Sequence, residues 1–455
     1  MTTRREWIAQ SALAGAVVGL SPELRNVLGA TPFLDNDRPY LELALRSARW
    51  IARSRQVSDH GDRYPADPLK PESVGFDFYN GMPGVVAFHA ALASATADPA
   101  WLTAARAGAD SLVHEATANG DSLDAGLYTG LGGVGFALDC VAAAGGGHQY
   151  SAAAARATDL IRRHARSTAT GTQWSDSWDI ISGVAGTGLY LLHAAAARDD
   201  RALLQLASDA GRRLLAVAEP GKDGGLMWYP AASFRRNYPN FSHGTAGVGY
   251  FLATLYQRTG EQAFFDGALE AAAYLDSVAT RSNQAVKIFH QDEDGQNRFY
   301  LSWCHGPVGT ARLFWRLHQI TGEAKWSNWV DGLTNGVLDS GAPERRTDGY
   351  WNNVSQCCGN VGIGQYCIDL ARYRRAATTG ELLTRVVVDT QHRATSDDAG
   401  LRWIQAENRT QPENLVAQTG FMQGAAGAGV FFLQLDAFSR GKPWGFPQPD
   451  TPWTG

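Results

Sequence analysis

Two hydrophobic patterns alternate along this chain. In the first, apolar residues fall at i, i+3, i+4 and i+7 with Arg, Asp and Glu between them. It covers Leu41–Gln56, Trp101–Glu115, Arg201–Val217, Phe264–Val278 and Glu323–Leu338. That spacing predicts amphipathic helices with one face on a core. The second pattern is apolar nearly all round and rich in Gly and Ala, which predicts helices buried on both sides. Each run of this second kind opens on G-x-x-G, at Gly81, Gly130, Gly183, Gly244, Gly306, Gly359 and Gly424. The period is roughly 50–65 residues, enough for a helix pair and a connecting loop. Buried helices as an inner ring and amphipathic ones as an outer ring give an all-α fold, a closed (α/α)7 toroid. Closure removes the need for polar capping repeats. The toroid is expected to occupy residues 31–455 as a single domain.

Residues 1–30 read differently. Arg4-Arg5 precedes a short, mildly apolar run from Ser11 to Leu20. This is the pattern of a twin-arginine export signal, and the run is too short to span a membrane. The expectation is export, with the cytoplasm as the alternative. No transmembrane segment is expected elsewhere. Charged residues make up 19 % of the chain and the net charge is −5, without a basic run, so nucleic acid is not an expected partner.

The repeat register brings chemistry together. Inner helices that run in one direction gather their N-termini at one mouth of the barrel. The residue before each first glycine is Asn80, Thr129, Ser182, His243, His305, Cys358 or Gln423, each with a lone pair to offer. The residue before that is Tyr79, Tyr128, Ile181, Ser242, Cys304, Cys357 or Met422. Equivalent positions in successive repeats are neighbours, so His243, Cys304, His305, Cys357 and Cys358 should converge. Thiolates with imidazole suit Zn²⁺, and helix N-termini favour the thiolate form. The alternative is a set of reduced, buried cysteines. There are five cysteines in all; Cys140 and Cys367 lie in apolar inner helices and read as core. Asp179, four before Gly183 and beside Trp178, is a carboxylate that burial makes costly unless it is used or paired. It reads as catalytic, although Asp77 holds the same place in the first repeat. His193, His290 and His318 lie outside the ring and read as surface or packing residues. Aromatic pairs in the later loops, Trp228-Tyr229, Phe299-Tyr300 and Tyr350-Trp351, together with Trp403, are either substrate-holding or loop anchors.

These residues carry a resemblance. Over roughly residues 40–440 the chain resembles the lanthionine synthetase C-like family, the lanthipeptide cyclases and their relatives. The matching features are the seven G-x-x-G units, Ser-His243-Gly, Ser-Trp-Cys304-x-Gly and Cys357-x-Gly. The resemblance implies one zinc held by Cys304, Cys357 and Cys358, with His243 and Asp179 as the acid/base pair. It implies a dehydrated, cysteine-containing peptide, or another thiol, as substrate, with thioether rings as product. The family more often has histidine where Cys358 stands, and an arginine where Tyr300 stands, with Arg298 nearby. Two other readings follow from the residues. One is a relative that binds thiols without cyclising them. The other is an exported glycoside hydrolase using Asp179 with Asp176 or Glu344.

Overall fold

The structure is a computed structural model that describes residues 38–373, 377–446 and 448–453. The twin-arginine stretch lies outside them. Among the described residues fourteen α-helices form seven pairs, each made of an inner helix and the outer helix packed on it. The inner ring consists of α2 (Met82–Thr96), α4 (Leu131–Ala143), α6 (Val184–Arg198), α8 (Thr245–Thr259), α10 (Pro307–Thr321), α12 (Asn360–Tyr373) and α14 (Ala425–Ser439). The outer ring consists of α1 (Pro39–Arg53), α3 (Pro99–Ala118), α5 (His148–His164), α7 (Arg201–Ala216), α9 (Gln262–Val278), α11 (Ala324–Asp339) and α13 (Ala377–His392). Each inner helix packs on the next inner helix, and α14 packs on α2, so the ring closes. The all-α (α/α)7 toroid expected from the repeat is the fold observed.

One feature of the pairing departs from reading order. Each inner helix pairs with the outer helix that follows it, and the first outer helix α1 pairs with the last inner helix α14. The first and last of these helices thus share one pair, clasped by Arg38 on both carboxylate oxygens of Asp436, at 3.2 and 2.6 Å.

The G-x-x-G motif is explained by how repeats plug together. In five of the seven repeats the residue three before the first glycine presses its side chain onto the second glycine of the next repeat. Phe78 sits on Gly133, Phe241 on Gly309 and, closing the circle, Phe421 on Gly84. A Cβ at these glycines would fall inside the contact distance of the neighbour. The segment just before the inner helices is laced by a ring of backbone hydrogen bonds of 2.7–3.1 Å. It runs Tyr79 to Tyr128, Tyr128 to Ile181, Ile180 to Ser242, Ser242 to Cys304, Cys304 to Cys357, Cys357 to Met422 and Met422 to Tyr79, each N–H donating to the next repeat's carbonyl. These N–H and C=O groups are buried at the barrel mouth and would otherwise lack partners.

Six two-stranded hairpins lie among the described residues, a feature the helical periodicity does not foretell. Most follow an outer helix. A tryptophan downstream of the hairpin donates its indole N–H to a carbonyl near that helix's C-terminus: Trp174 to Ile161, Trp228 to Leu214 and Trp403 to Thr390, at 2.7–2.8 Å. Trp228 and Trp403 are therefore loop anchors. Among the described residues no helix is long and apolar enough to cross a membrane.

Candidate metal centre and active site

The hydrogen-bonded ring forces equivalent positions of repeats five and six side by side. As a result the sulfurs of Cys304, Cys357 and Cys358 all lie within 4.8 Å of one another. Cys358 Sγ is 3.4 Å from both of the others. All three are free thiols and buried. Cys140 and Cys367 are buried in inner helices, as their apolar settings imply.

A polar line supports the cluster from the far side. The Tyr79 hydroxyl donates to Cys357 Sγ at 3.0 Å, Gln423 Nε2 donates to Tyr79 at 2.9 Å, and Asn353 donates to Gln423 at 3.2 Å. Burial alone would raise the pKa of Cys357. The hydrogen bonds from Cys304, Cys358 and Tyr79, and then the charge of His243, instead bring it well below the ordinary thiol value. Burial first, and then its neighbours, push Cys304 up; hydrogen bonding to the other two thiols pushes Cys358 up.

Across the same cavity stands His243, whose Nδ1 is 2.5 Å from Asp179 Oδ2. Asp179 is 4 % exposed, while His243 is 38 % exposed and opens onto the cavity. The other carboxylate oxygen, Oδ1, accepts the backbone N–H groups of Ser182 and Gly183 at 2.9 Å each. Asp77 does the same for Asn80 and Gly81 in the first repeat. The shared position is thus a turn clamp, and in the third repeat alone its free oxygen is aimed at a histidine. Burial works to lower the His243 pKa, but the charge and hydrogen bond of Asp179 outweigh it, and the value lies above the ordinary one.

The cavity has a volume of about 520 Å³. Cys304, Cys357, Cys358 and His243 all line it, together with Asp77, Tyr79, His290, Tyr300, His305, Trp351, Glu407 and Arg409. His305 packs its ring 5.5 Å from that of His243, and its buried Nδ1 has no partner among the described residues. Burial first, then the neighbouring imidazoles, hold it neutral.

The family model for lanthionine synthetase C-like proteins matches residues 72–448. The chain belongs to this family. No curated protein matches it in sequence. Among solved structures, nisin cyclase is similar with a TM-score of 0.59 at 14 % identity, over 86 % of this chain and 92 % of that one. The GH76A α-1,6-mannanase from Salegentibacter sp. HEL1_6 is similar with a TM-score of 0.50 at 12 % identity, over 88 % of this chain and 99 % of that one. At such identities both likenesses establish the fold alone.

For this family member the structure bears on three sequence-based readings. His290, read as a surface or packing residue, does pack, but at the site. It lines the cavity, stacked 4.1 Å from Tyr300, with its pKa lowered to about 3 by burial first and then by Arg298 and Arg409. The carboxylates offered as glycosidase partners for Asp179 lie elsewhere. Asp176 is exposed and paired with Arg166, and Glu344 is exposed and paired with Arg385. Arg298, the arginine nearest the family's usual place, is turned to Asp348 at 2.9 Å. The guanidinium at the cavity is that of Arg409, brought in by the loop before the seventh repeat and bonded to the Tyr300 hydroxyl at 3.1 Å. Tyr79 and Gln423, which line the cavity and join the polar line to Cys357, were not singled out from the sequence, although both occupy the register positions that disclosed the cysteines. His193 and His318 do stand apart. One is 3.4 Å from Asp139 and the other bonds a backbone carbonyl. The aromatic pairs divide between the two roles: Trp228, Tyr350 and Trp403 are buried anchors, whereas Tyr300 and Trp351 face the cavity.

Proposed function

We propose that this protein adds a cysteine thiol of a dehydrated peptide to a dehydroalanine or dehydrobutyrine of the same peptide, closing a thioether ring. The observation that carries the reading is one cavity lined both by a three-thiol cluster and by a carboxylate-oriented histidine. The donor set fits zinc: three soft sulfurs clustered at one cavity wall, with Tyr79 bonded to one of them as outer-shell support. Cys304, Cys357 and Cys358 would hold one Zn²⁺ per chain. When bound, the ion supplies stabilisation of a fourth, substrate thiolate at neutral pH.

The chain's own residues perform the rest. In the addition a C–S bond forms at the β-carbon, the C=C π pair moves towards the carbonyl as an enolate, and the α-carbon must take a proton. His243 donates that proton. Asp179 holds its Nδ1 side, which leaves Nε2 as the working nitrogen. The proton lost by the substrate thiol recharges the imidazole, so the cycle balances without an added acid. Arg409 and the neutral His290 and His305 line the space in which the enolate oxygen develops its charge, and Arg409 is the cation among them suited to that oxygen.

A peptide bearing one dehydroalanine and one cysteine tests the reading. The expected result is one zinc per chain and loss of free thiol with time. Both should disappear in a Cys304→Ala/Cys357→Ala double variant. Zinc retained in that variant refutes the ligand set. A zinc-loaded protein that leaves every dehydrated peptide's thiol intact refutes cyclisation and favours a thiol-binding relative.

A further inference from the structure

After α14 the chain turns back into the barrel. Phe446 packs on Phe136 of α4, Gln319 of α10 donates to the Pro452 carbonyl at 2.9 Å, and Trp453 lies 4.7 Å from Trp315. Phe446 and residues 448–453 thus touch separate parts of the inner ring. Apolar side chains would be enough for a plug. This segment instead buries Asp450 at 1 % exposure, a costly placement for a carboxylate without partners.

Those partners lead to the metal centre. Asp450 Oδ2 accepts the indole N–H of Trp303 at 2.7 Å, with the Arg312 guanidinium 4.0 Å away. Trp303 immediately precedes Cys304. A second line starts two residues earlier: Gln448 Oε1 accepts Gln365 Nε2 at 3.4 Å, and Gln365 Oε1 accepts Gln356 Nε2. Gln356 immediately precedes Cys357. Two side chains of one inserted segment therefore reach, by separate hydrogen-bonded lines, the residues preceding two of the three thiols.

We propose that residues 448–453 are a positioning device for the thiol cluster, with Asp450 acting through Trp303 on Cys304 and Gln448 acting through Gln365 and Gln356 on Cys357. Its metal readout rests on the zinc reading above; its metal-free readout does not. Fixing the side chains of both preceding residues restrains the backbone from which the two sulfurs project.

The test uses Asp450→Ala, Asp450→Asn and Trp303→Phe in the full chain. Asp450→Ala and Trp303→Phe should each speed zinc loss to a colorimetric chelator by about 10-fold, the lower end for outer-shell partners. Each should also shift the sulfur-to-metal charge-transfer bands of the Co²⁺-substituted protein. Asp450→Asn keeps an acceptor for the indole and should restore most of the wild-type behaviour. The double variant Asp450→Ala/Trp303→Phe should be no worse than either single one, because both break the same contact. In metal-free protein, Cys304 alkylation by iodoacetamide, located by mass spectrometry, should change rate several-fold in the same variants. Unchanged alkylation and an unchanged Co²⁺ spectrum in Trp303→Phe, which removes the indole N–H and leaves a smaller aromatic ring, overturn the proposal and leave the segment a plug. If wild-type protein takes up no metal, the zinc reading fails and alkylation alone decides this one. If Asp450→Ala does not fold, Trp303→Phe and Asp450→Asn carry the test.

Discussion

Replacing Asp179 by Asn separates the proton-transfer pair from the metal cluster. The amide keeps Oδ1, so the two 2.9 Å hydrogen bonds from Ser182 and Gly183 that clamp the turn survive. What changes is the oxygen 2.5 Å from His243 Nδ1, which becomes an NH₂ donor without charge. A hydrogen bond to a charged group is worth about 1.5–3 kcal/mol. At about 1.4 kcal/mol per factor of ten, its loss predicts a cyclisation rate lower by about 10- to 100-fold. Zinc content should stay at the wild-type level, because Asp179 does not contact the thiols. The pH profile gives the sharper readout. The His243 pKa lies above its ordinary value because Asp179 overcomes the lowering effect of burial. A general acid works in its protonated form, so activity should fall as pH rises through that pKa. Without the carboxylate, burial prevails and the fall should move to lower pH. The assay is free thiol against time on the dehydrated peptide between about pH 5 and 9, the range in which a histidine titrates. A variant with an unaltered rate, or a slowed one whose profile keeps its wild-type position, would refute the assignment of His243 as the acid that Asp179 tunes.

Two further outcomes follow from contacts outside that pair. Tyr79→Phe removes the hydroxyl bonded to Cys357 Sγ at 3.0 Å and should weaken zinc binding by about 10-fold, measured by chelator competition, with fold stability little changed. Gly429→Ala places a methyl group inside the contact distance of the Phe88 ring, between α14 and α2, and should destabilise the closed ring by about 1–3 kcal/mol in urea unfolding while leaving zinc stoichiometry intact.

The two helix classes, their number and the closed ring were legible in the sequence because each depends on local periodicity. A helix buried all round must be apolar all round, and a helix that others approach closely must carry glycine. The register of the repeat also places Cys304, Cys357, Cys358 and His243 at one mouth, since equivalent positions of stacked units are neighbours by symmetry. That symmetry stops at the loops. His290 and Arg409 belong to no repeated position, and only the packing of their loops across the mouth brings them to the cavity. The same holds for the arginine looked for near Tyr300: the tertiary structure supplies a guanidinium from a segment more than a hundred residues later in the chain. It also decided which aromatics anchor and which face the site, because a tryptophan near a hairpin reads the same in sequence whether its indole finds a helix carbonyl or open space. Pairing of α1 with α14, and return of residues 448–453 to the residues that precede Cys304 and Cys357, are contacts between distant parts of the chain that carry no periodic signal. Local propensity and repeat symmetry set the frame of this protein; long-range contacts, whose partners are chosen by shape and hydrogen-bond satisfaction after the ring has closed, set its site.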